Sequence, residues 1–384
     1  MIGKILMYLI PLLVIADTYI YALFIRKFTQ KTALRILWFL PSVILLIGAY
    51  FFFASTATDF RSIFAIVFIT IALPKILFFV ITLLDIPFRI LFKWKVYPFS
   101  VVGLFVGVAV IFILIYGSTV GKTKFEVKQV EFASPNLPES FDGYKIVQIS
   151  DLHIGNWGEN KAPIEKMVKL VNEQKADAVM ITGDLVHNSA TELDGFEPIL
   201  SQIKAPDGVY SILGNHDYGL YKRWESEEKK KENLESLKQR QANMGWKLLN
   251  NEHTFLVKGN ECISLIGVEN EGKPPFPQYG DLTKAMAGAE LCSFKLLLSH
   301  DPSHWRGEAL DKKIDLMLAG HTHGTQFSIG SFSFASLLYD EWGGLYKEGN
   351  QGLYVNVGIA HVLLPFRFGA WPEITVITLK KLKP

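Results

Sequence analysis

Apolar and polar positions divide the chain in two. Up to about residue 120 the sequence is dominated by four apolar stretches, about Ile5–Ile25, Leu34–Phe53, Ile63–Leu84 and Phe99–Tyr116. Each approaches the roughly 20 residues a helix needs to cross the hydrocarbon core of a bilayer. Pro11, Pro41 and Pro74 fall in or at the start of these stretches, where neighbouring helices can accommodate them. The first stretch is too long for a signal peptide and lacks a clear small-x-small cleavage site. The expectation is a transmembrane region of four helices over residues 1–120 and a separate domain over residues 121–384. The chain is thus expected to be an integral, multi-pass membrane protein.

After Val120 hydropathy falls and short apolar runs alternate with amphipathic ones. Lys124–Phe132 alternates and predicts an edge strand. Ala162–Gln174 carries Ile164, Met167, Val168 and Val171 at helical spacing, and Thr191–Ile203 repeats the pattern. Trp224–Met244 is charged, with Glu and Lys at helical spacing, and reads as a solvated helix or long loop. Beyond His323 the pattern turns β-like, at Phe327–Phe334, Gly352–Val357 and Glu373–Leu379. A chain of βα units followed by strands predicts two packed sheets with helices outside.

Most of the short apolar runs end in a polar cluster. Tyr144–Ile149 leads to Ser150-Asp151-Leu152-His153, and Ala178–Thr182 leads to Gly183-Asp184. Val209–Leu213 leads to Gly214-Asn215-His216-Asp217, Leu296–Leu298 to Ser299-His300, and Leu316–Ala319 to Gly320-His321-Thr322-His323. A buried strand followed by a polar turn delivers side chains to the rim of a sheet. Asp151 and His153, two apart at a strand end, face the same way and can approach one metal. Asp184 can bridge two cations, and Asn215 offers an amide oxygen. His300, His321 and His323 offer imidazole nitrogens. Mixed nitrogen and oxygen donors suit Mn, Fe or Zn better than Ca. Two such cations would clamp phosphoryl oxygens and acidify a shared water. His216 is the candidate to stabilise charge or protonate a leaving oxygen, with Asp217 holding its tautomer. Any one of these clusters alone is commonly an ordinary turn; the ordered set of five is not. His187 reads as rim or structural, and His304 as packing or support for His300.

The ordered set resembles the calcineurin-like metallophosphoesterase superfamily, in its bacterial, membrane-anchored branch. The matching segments are Asp151-Leu152-His153, Gly183-Asp184, Gly214-Asn215-His216-Asp217, His300 and Gly320-His321-Thr322-His323. The resemblance implies a four-layer α/β/β/α sandwich that hydrolyses a phosphate ester or anhydride. It implies one metal held by Asp151, His153, Asp184 and His323, and a second by Asp184, Asn215, His300 and His321. His216 is then the catalytic histidine. One departure is Thr325, where the branch usually has glycine; a β-branched residue disfavours positive φ.

Charge adds the remaining limits. With 39 Lys and Arg against 37 Asp and Glu, the net charge of +2 argues against a nucleic-acid partner. Arg26, Lys27, Lys31 and Arg35 in the first loop, and Arg89, Lys93 and Lys95 in the third, outweigh Arg61 in the second. The excess predicts loops one and three inside and the domain extracytoplasmic, although Lys122, Lys124 and Lys128 run against this. Trp38, Trp94 and Tyr97 are expected at the membrane interfaces. Asp17 and Lys75, inside apolar stretches, read as an interhelical bond or a snorkelling lysine. Cys262 and Cys292 are too few for a disulfide framework; thiols are expected, or one bridge outside the cytoplasm. A lipid-linked phosphate, such as a phospholipid, fits a membrane anchor. Val362–Phe368 is the expected membrane-facing lip, and Phe327–Phe334 the expected sheet core. The competing reading is a catalytically inactive metal-binding scaffold or sensor.

Overall fold

The computed structural model describes residues 2–55, 58–93 and 96–383 and divides into two compact units. Trp94 and Lys95, expected at an interface and in a cytoplasmic loop, lie outside the described residues.

The first unit comprises residues up to Gly121 together with Leu363–Phe368. Its four candidate spans are Gly3–Phe28, Thr32–Ala54, Phe60–Phe92 and Pro98–Thr123, close to the stretches read from hydropathy. Apolar attraction cannot hold helices together in lipid, so close packing and polar contacts must. Ala16, Ala49, Ala65 and Ala72 are buried, and Gly103 lets the last helix close on Phe78. Lys75 Nζ lies 2.8 Å from Asp17 Oδ1 and donates to Ser42 Oγ at 3.0 Å, joining three helices. Trp38 donates from Nε1 to the Asp17 carbonyl and sets its ring 4.7 Å from the Lys75 ammonium. Asp85 caps the last helix by accepting from the N–H of Phe99 and of Ser100 and from Ser100 Oγ. Within Leu363–Phe368, Phe366 and Arg367 are buried and Leu363 is exposed, and the Arg367 N–H donates to the Gly117 carbonyl at 3.1 Å.

The second unit is a sandwich of two six-stranded sheets. The first sheet runs β1 (Glu126–Ser134), β14 (Glu373–Lys381), β2 (Lys145–Ile149), β3 (Ala178–Thr182), β4 (Val209–Ile212) and β5 (Trp246–Leu248). The second runs β12 (Gly344–Glu348), β13 (Gln351–Val355), β9 (Leu316–Ala319), β8 (Phe294–Leu298), β7 (Glu261–Gly267) and β6 (Glu252–Lys258). Strands β2 to β5 are mutually parallel, as are β7, β8, β9 and β13. Between the sheets lies a core that includes Phe132, Ile146, Met180 and Ile212 from one side and Leu265, Leu296, Leu318 and Tyr354 from the other. Separate apolar clusters cover the outer faces, one including Met167 and Leu237 and the other Ala285 and Trp305. The expected four-layer α/β/β/α arrangement is therefore the fold.

Some local expectations change. The helix expected at Thr191–Ile203 is broken into Ala190–Leu193 and Glu197–Leu200, because Gly195 between them takes φ 77°. The charged segment forms a helix at Glu227–Asn243, whose first turn is capped by Ser226 accepting from the Lys229 N–H. Cys262 and Cys292 are joined as a disulfide, not left as thiols. Phe327–Phe334 is not sheet core but a hairpin, β10 (Ser328–Ile329) with β11 (Phe332–Ser333), whose Ile329, Phe332 and Phe334 are exposed.

Candidate functional site

Both sheets end their parallel strands at one rim, and the polar clusters sit there. Asp151 and Asp184 each stand two residues beyond their strands, β2 and β3, and Asn215 three beyond β4. From the second sheet, His300 and His321 follow β8 and β9 by two residues. The loops are held by one another's backbone. The Asp151 N–H donates to the Gly183 carbonyl, the His153 N–H to the Asp184 carbonyl, and the Gly320 N–H to the His300 carbonyl. Gln148, fully buried, ties the two sheets by donating to Thr182 Oγ1 and to the Ala319 carbonyl at 2.8 Å. A Cβ on Gly320 would collide with Ser150 Oγ and the Asp151 carboxylate, so only glycine permits this approach.

The rim is strained. Of twelve non-glycine residues with positive φ among the described residues, seven are Asp151, His153, Asp184, His321, His323, Thr325 and Gln326. Such conformations cost about 1–3 kcal/mol each and persist where the surroundings impose them. Thr325 adopts φ 47° in spite of its branched Cβ. Its hydroxyl donates to the Gly324 carbonyl and lies 3.1 Å from Ser333 Oγ, which also donates to that carbonyl.

The side chains converge as two groups. In one, ligand atoms of Asp151, His153 and His323 all lie within 4.8 Å of one another; in the other, those of Asp184, His300 and His321 do. His323 Nε2 is 3.1 Å from Asp151 Oδ1 and 3.2 Å from His153 Nε2. His300 Nε2 is 3.2 Å from Asp184 Oδ2 and 3.3 Å from His321 Nδ1. Asp184 joins the groups, since His153 Nε2 lies 3.4 Å from its Oδ2. His300 donates from Nδ1 to the Thr182 carbonyl at 2.7 Å, which leaves Nε2 as its ligand atom. Asn215 Oδ1 is buried and has no hydrogen-bond partner, while its amide Nδ2 donates to Tyr221 Oη at 2.8 Å.

Electrostatics sharpens the point. Burial raises the Asp151 carboxyl, but His323, His300 and Ser150 together hold it well below the usual carboxylate range. Burial, then the nearby His216 and His323, keeps His153 well below the usual histidine range. Burial opposes charge on His300 too, yet Asp184 and Asp151 push it up to about 10. Carboxylates kept anionic beside the neutral imidazole of His153, with an amide oxygen lacking a donor, form a donor set suited to a divalent cation, and His300 gives up its Nε2 proton when that nitrogen serves as a ligand.

Asp217 departs from expectation. Its carboxylate accepts from the N–H of Gly214 at 2.9 Å and of Val186 at 3.0 Å. Burial and Asp184 push its carboxyl up to about 7. His216 Nδ1 instead donates to the His187 carbonyl at 2.7 Å, so a backbone group, not Asp217, sets its tautomer. Asp217 shapes the turn that carries Asn215 and His216.

Sequence reading gave His187 a rim or structural role and His304 a supporting one, and it did not name Tyr339, Asp301 or Tyr221. His187 Nδ1 lies 3.4 Å from His153 Nδ1, and burial, then His216, lowers its pKa to about 4. Tyr339 Oη is 3.0 Å from His321 Nε2, and Asp301 Oδ2, buried without a hydrogen-bond partner, is 3.5 Å from the same nitrogen. Asp301 directly follows His300, which was its one available signal. The Tyr221 ring lies tilted against His216 with centroids 4.4 Å apart, and Phe276, between Pro275 and Pro277, meets His321 edge-on at 4.5 Å. His304 supports the site from behind, with Nδ1 2.9 Å from Ser299 Oγ.

Comparison with known proteins agrees with this geometry. Residues 144–325 match the family model described as calcineurin-like phosphoesterase. Residues 3–122 match one described as the transmembrane domain of a probable calcineurin-like phosphoesterase. An uncharacterized metallophosphoesterase of Campylobacter jejuni is 30% identical over 70% of this chain and 67% of its own length. The chain belongs to the calcineurin-like phosphoesterase family. It is also similar to the uncharacterized metallophosphoesterase YkuE of Bacillus subtilis, at 29% identity over 66% of this chain and 85% of that protein. A Danio rerio transmembrane protein with metallophosphoesterase domain is 31% identical over 70% of this chain, which spans 60% of that relative. As a member of this family the chain is a metallophosphoesterase, a hydrolase of phosphoric esters, and its four apolar helices make it a multi-pass membrane protein.

Proposed function

We propose that the chain is a membrane-anchored phosphohydrolase that uses two divalent cations to hydrolyse a phosphate ester or anhydride carried by a lipid. Residues 1–120 serve as the anchor and residues 121–384 as the catalytic domain. Asp151, His153, Asp184 and His323 hold one cation; Asp184, Asn215, His300 and His321 hold the other. When bound, the pair supplies Lewis acidity to the phosphoryl oxygens and to water. The observation that carries the reading is the pair of His and Asp groups joined through Asp184, beside the unpartnered Asn215 oxygen.

The chain's own residues contribute the rest. His216, with Nδ1–H committed to the His187 carbonyl, keeps Nε2 for the reaction and, once protonated, donates to the leaving oxygen. The His216 N–H donates to Asp184 Oδ1 at 2.8 Å and so locks the bridging carboxylate to the catalytic turn. Tyr339, Tyr221 and Phe276 form an aromatic rim that limits water around the site. Asp301 and Tyr339 receive the outer nitrogen of His321, which frees Nδ1 as its ligand atom. A complete ligand set together with His216 favours catalysis over a scaffold or sensor role.

The catalytic domain is extracytoplasmic in this reading. The basic first and third loops support it, as does a disulfide of the kind stable in oxidising compartments. Digestion of the domain by protease added to intact cells is expected; protection would reverse the topology. For the chemistry, full-length protein in detergent with added Mn²⁺ is tested on a soluble phosphate ester and on phosphatidate. His216→Ala is expected to lower turnover by about 10²–10⁴-fold, the usual contribution of a positioned acid or base. Asp184→Asn is expected to lower bound metal as well. Turnover indifferent to both changes would refute the reading.

A further inference from the structure

We propose that the segment Phe327–Tyr339 is an interfacial flap that dips into the bilayer and delivers a lipid-borne phosphate to the site. Three observations carry it. First, its apolar side chains are gathered. Ten large apolar side chains of the second unit are exposed among the described residues, and five of them fall between Ile329 and Leu338. Ile329, Phe332, Phe334, Leu337 and Leu338 are 46% to 73% exposed. Apolar side chains scattered singly on a surface are ordinary, whereas a concentrated set marks an interaction surface. Second, no Asp, Glu, Lys or Arg occurs from Phe327 to Tyr339, in a chain with 20% charged residues. Shallow burial in lipid excludes charge and requires paired backbone groups. The hairpin meets the second need by pairing Ser328 with Ser333 and Ile329 with Phe332.

Third, the flap is built onto the site at both ends. At its start, Gly324 and Thr325 turn the chain with left-handed conformations straight after His323, and Thr325 Oγ1 meets Ser333 Oγ across the base. At its end, Tyr339 Oη reaches His321 Nε2. Ser333 Oγ, which donates to the Gly324 carbonyl at 2.6 Å, fastens the base of the flap. The occupant follows from the chain itself. The same polypeptide spans a membrane, and only six residues separate Thr119 from Glu126. A tether that short keeps lipid at high effective concentration for this domain. A soluble protein partner would need none of this proximity.

The insertion stands independently of the phosphohydrolase reading; the delivery of substrate rests on it. Full-length protein in lipid nanodiscs, carrying Leu337→Cys labelled with an environment-sensitive fluorophore, tests insertion. The two native cysteines are bonded to each other and leave the label a single target. Bilayer-embedded quenchers are expected to quench this label and to spare one at Leu291→Cys, beyond the opposite end of β8 from His300. Absent quenching at position 337, or equal quenching at both positions, overturns the flap. Leu337→Glu combined with Leu338→Glu is then expected to slow phosphatidate hydrolysis in nanodiscs at least about tenfold and to leave p-nitrophenyl phosphate hydrolysis unchanged. An equal loss on both esters overturns delivery. If the unsubstituted protein hydrolyses neither ester, the phosphohydrolase reading fails, and quenching alone decides insertion.

Discussion

Two ion pairs of equal length show how differently the two units use charge. Lys75 and Asp17, in the membrane unit, meet at 2.8 Å, with side chains 15% and 3% exposed. Lys238 and Glu235, on the charged helix of the phosphoesterase unit, also meet at 2.8 Å, at 29% and 69% exposure. The first joins helices in a medium without competing water, and its loss would strand a carboxylate among apolar side chains. The second trades partners with solvent and contributes little. The phosphoesterase unit concentrates its costly charge elsewhere, at Asp151 and Asp184, both buried. Charge in the membrane unit fastens helices together; buried charge at the strand ends is gathered beside imidazoles in groups that could hold a metal ion.

Substitutions can break or sharpen this contrast. The largest effect is expected from Gly320→Ala, which forces Ser150 and Asp151 away from the loop of His321. A displacement near 1 Å at a reacting centre costs about 10²-fold. Turnover and bound metal should both fall, with melting in detergent little changed; intact turnover would mean the rim is softer than its packing implies. Next is Lys75→Met, which leaves Asp17 unpaired and should cost the membrane unit about 1–2 kcal/mol. Thermal unfolding in detergent measures it, and turnover on a soluble ester per folded molecule should hold. A loss of turnover instead would mean that the two units are coupled.

Tyr221→Phe comes third. Without the phenol, the Asn215 amide loses the hydrogen bond from its Nδ2 that fixes which way the amide is turned. Removing an outer partner of a metal ligand lowers affinity about tenfold at the small end of the usual range. Metal titration followed by turnover measures this, and Asn215→Ala combined with Tyr221→Phe should lose no more than Asn215→Ala alone. The smallest effect belongs to Lys238→Ala, a change within about 0.5 kcal/mol, typical of an exposed helical pair. A larger value from chemical denaturation would erase the distinction between the two ion pairs.

The sequence was legible where one local rule governs. Hydropathy alone located the four spans, because a helix that crosses lipid must present a long apolar run. The strands ending at Ile149, Thr182, Ile212, Leu298 and Ala319 were legible because burial on both faces leaves continuous apolar runs. Strands β5, β6 and β7 were missed, since Trp246–Leu248 is short and Glu252–Lys258 carries charge at both ends.

The amino-acid order by itself determined the positions of the four apolar spans, the α/β character of the domain, and the residue types collected at the strand ends. Those follow from solvent preference and from periodicity, which act on neighbours in sequence. Tertiary structure decided which groups face one another. It moved Asp217 from partner of His216 to support for the turn, and it paired Asn215 with Tyr221 and His321 with Tyr339. It also turned Ile329, Phe332 and Phe334 outward and buried Phe366 and Arg367. Such choices depend on distances between residues far apart in the chain, set only once two sheets close on a shared core. No local pattern carries that information.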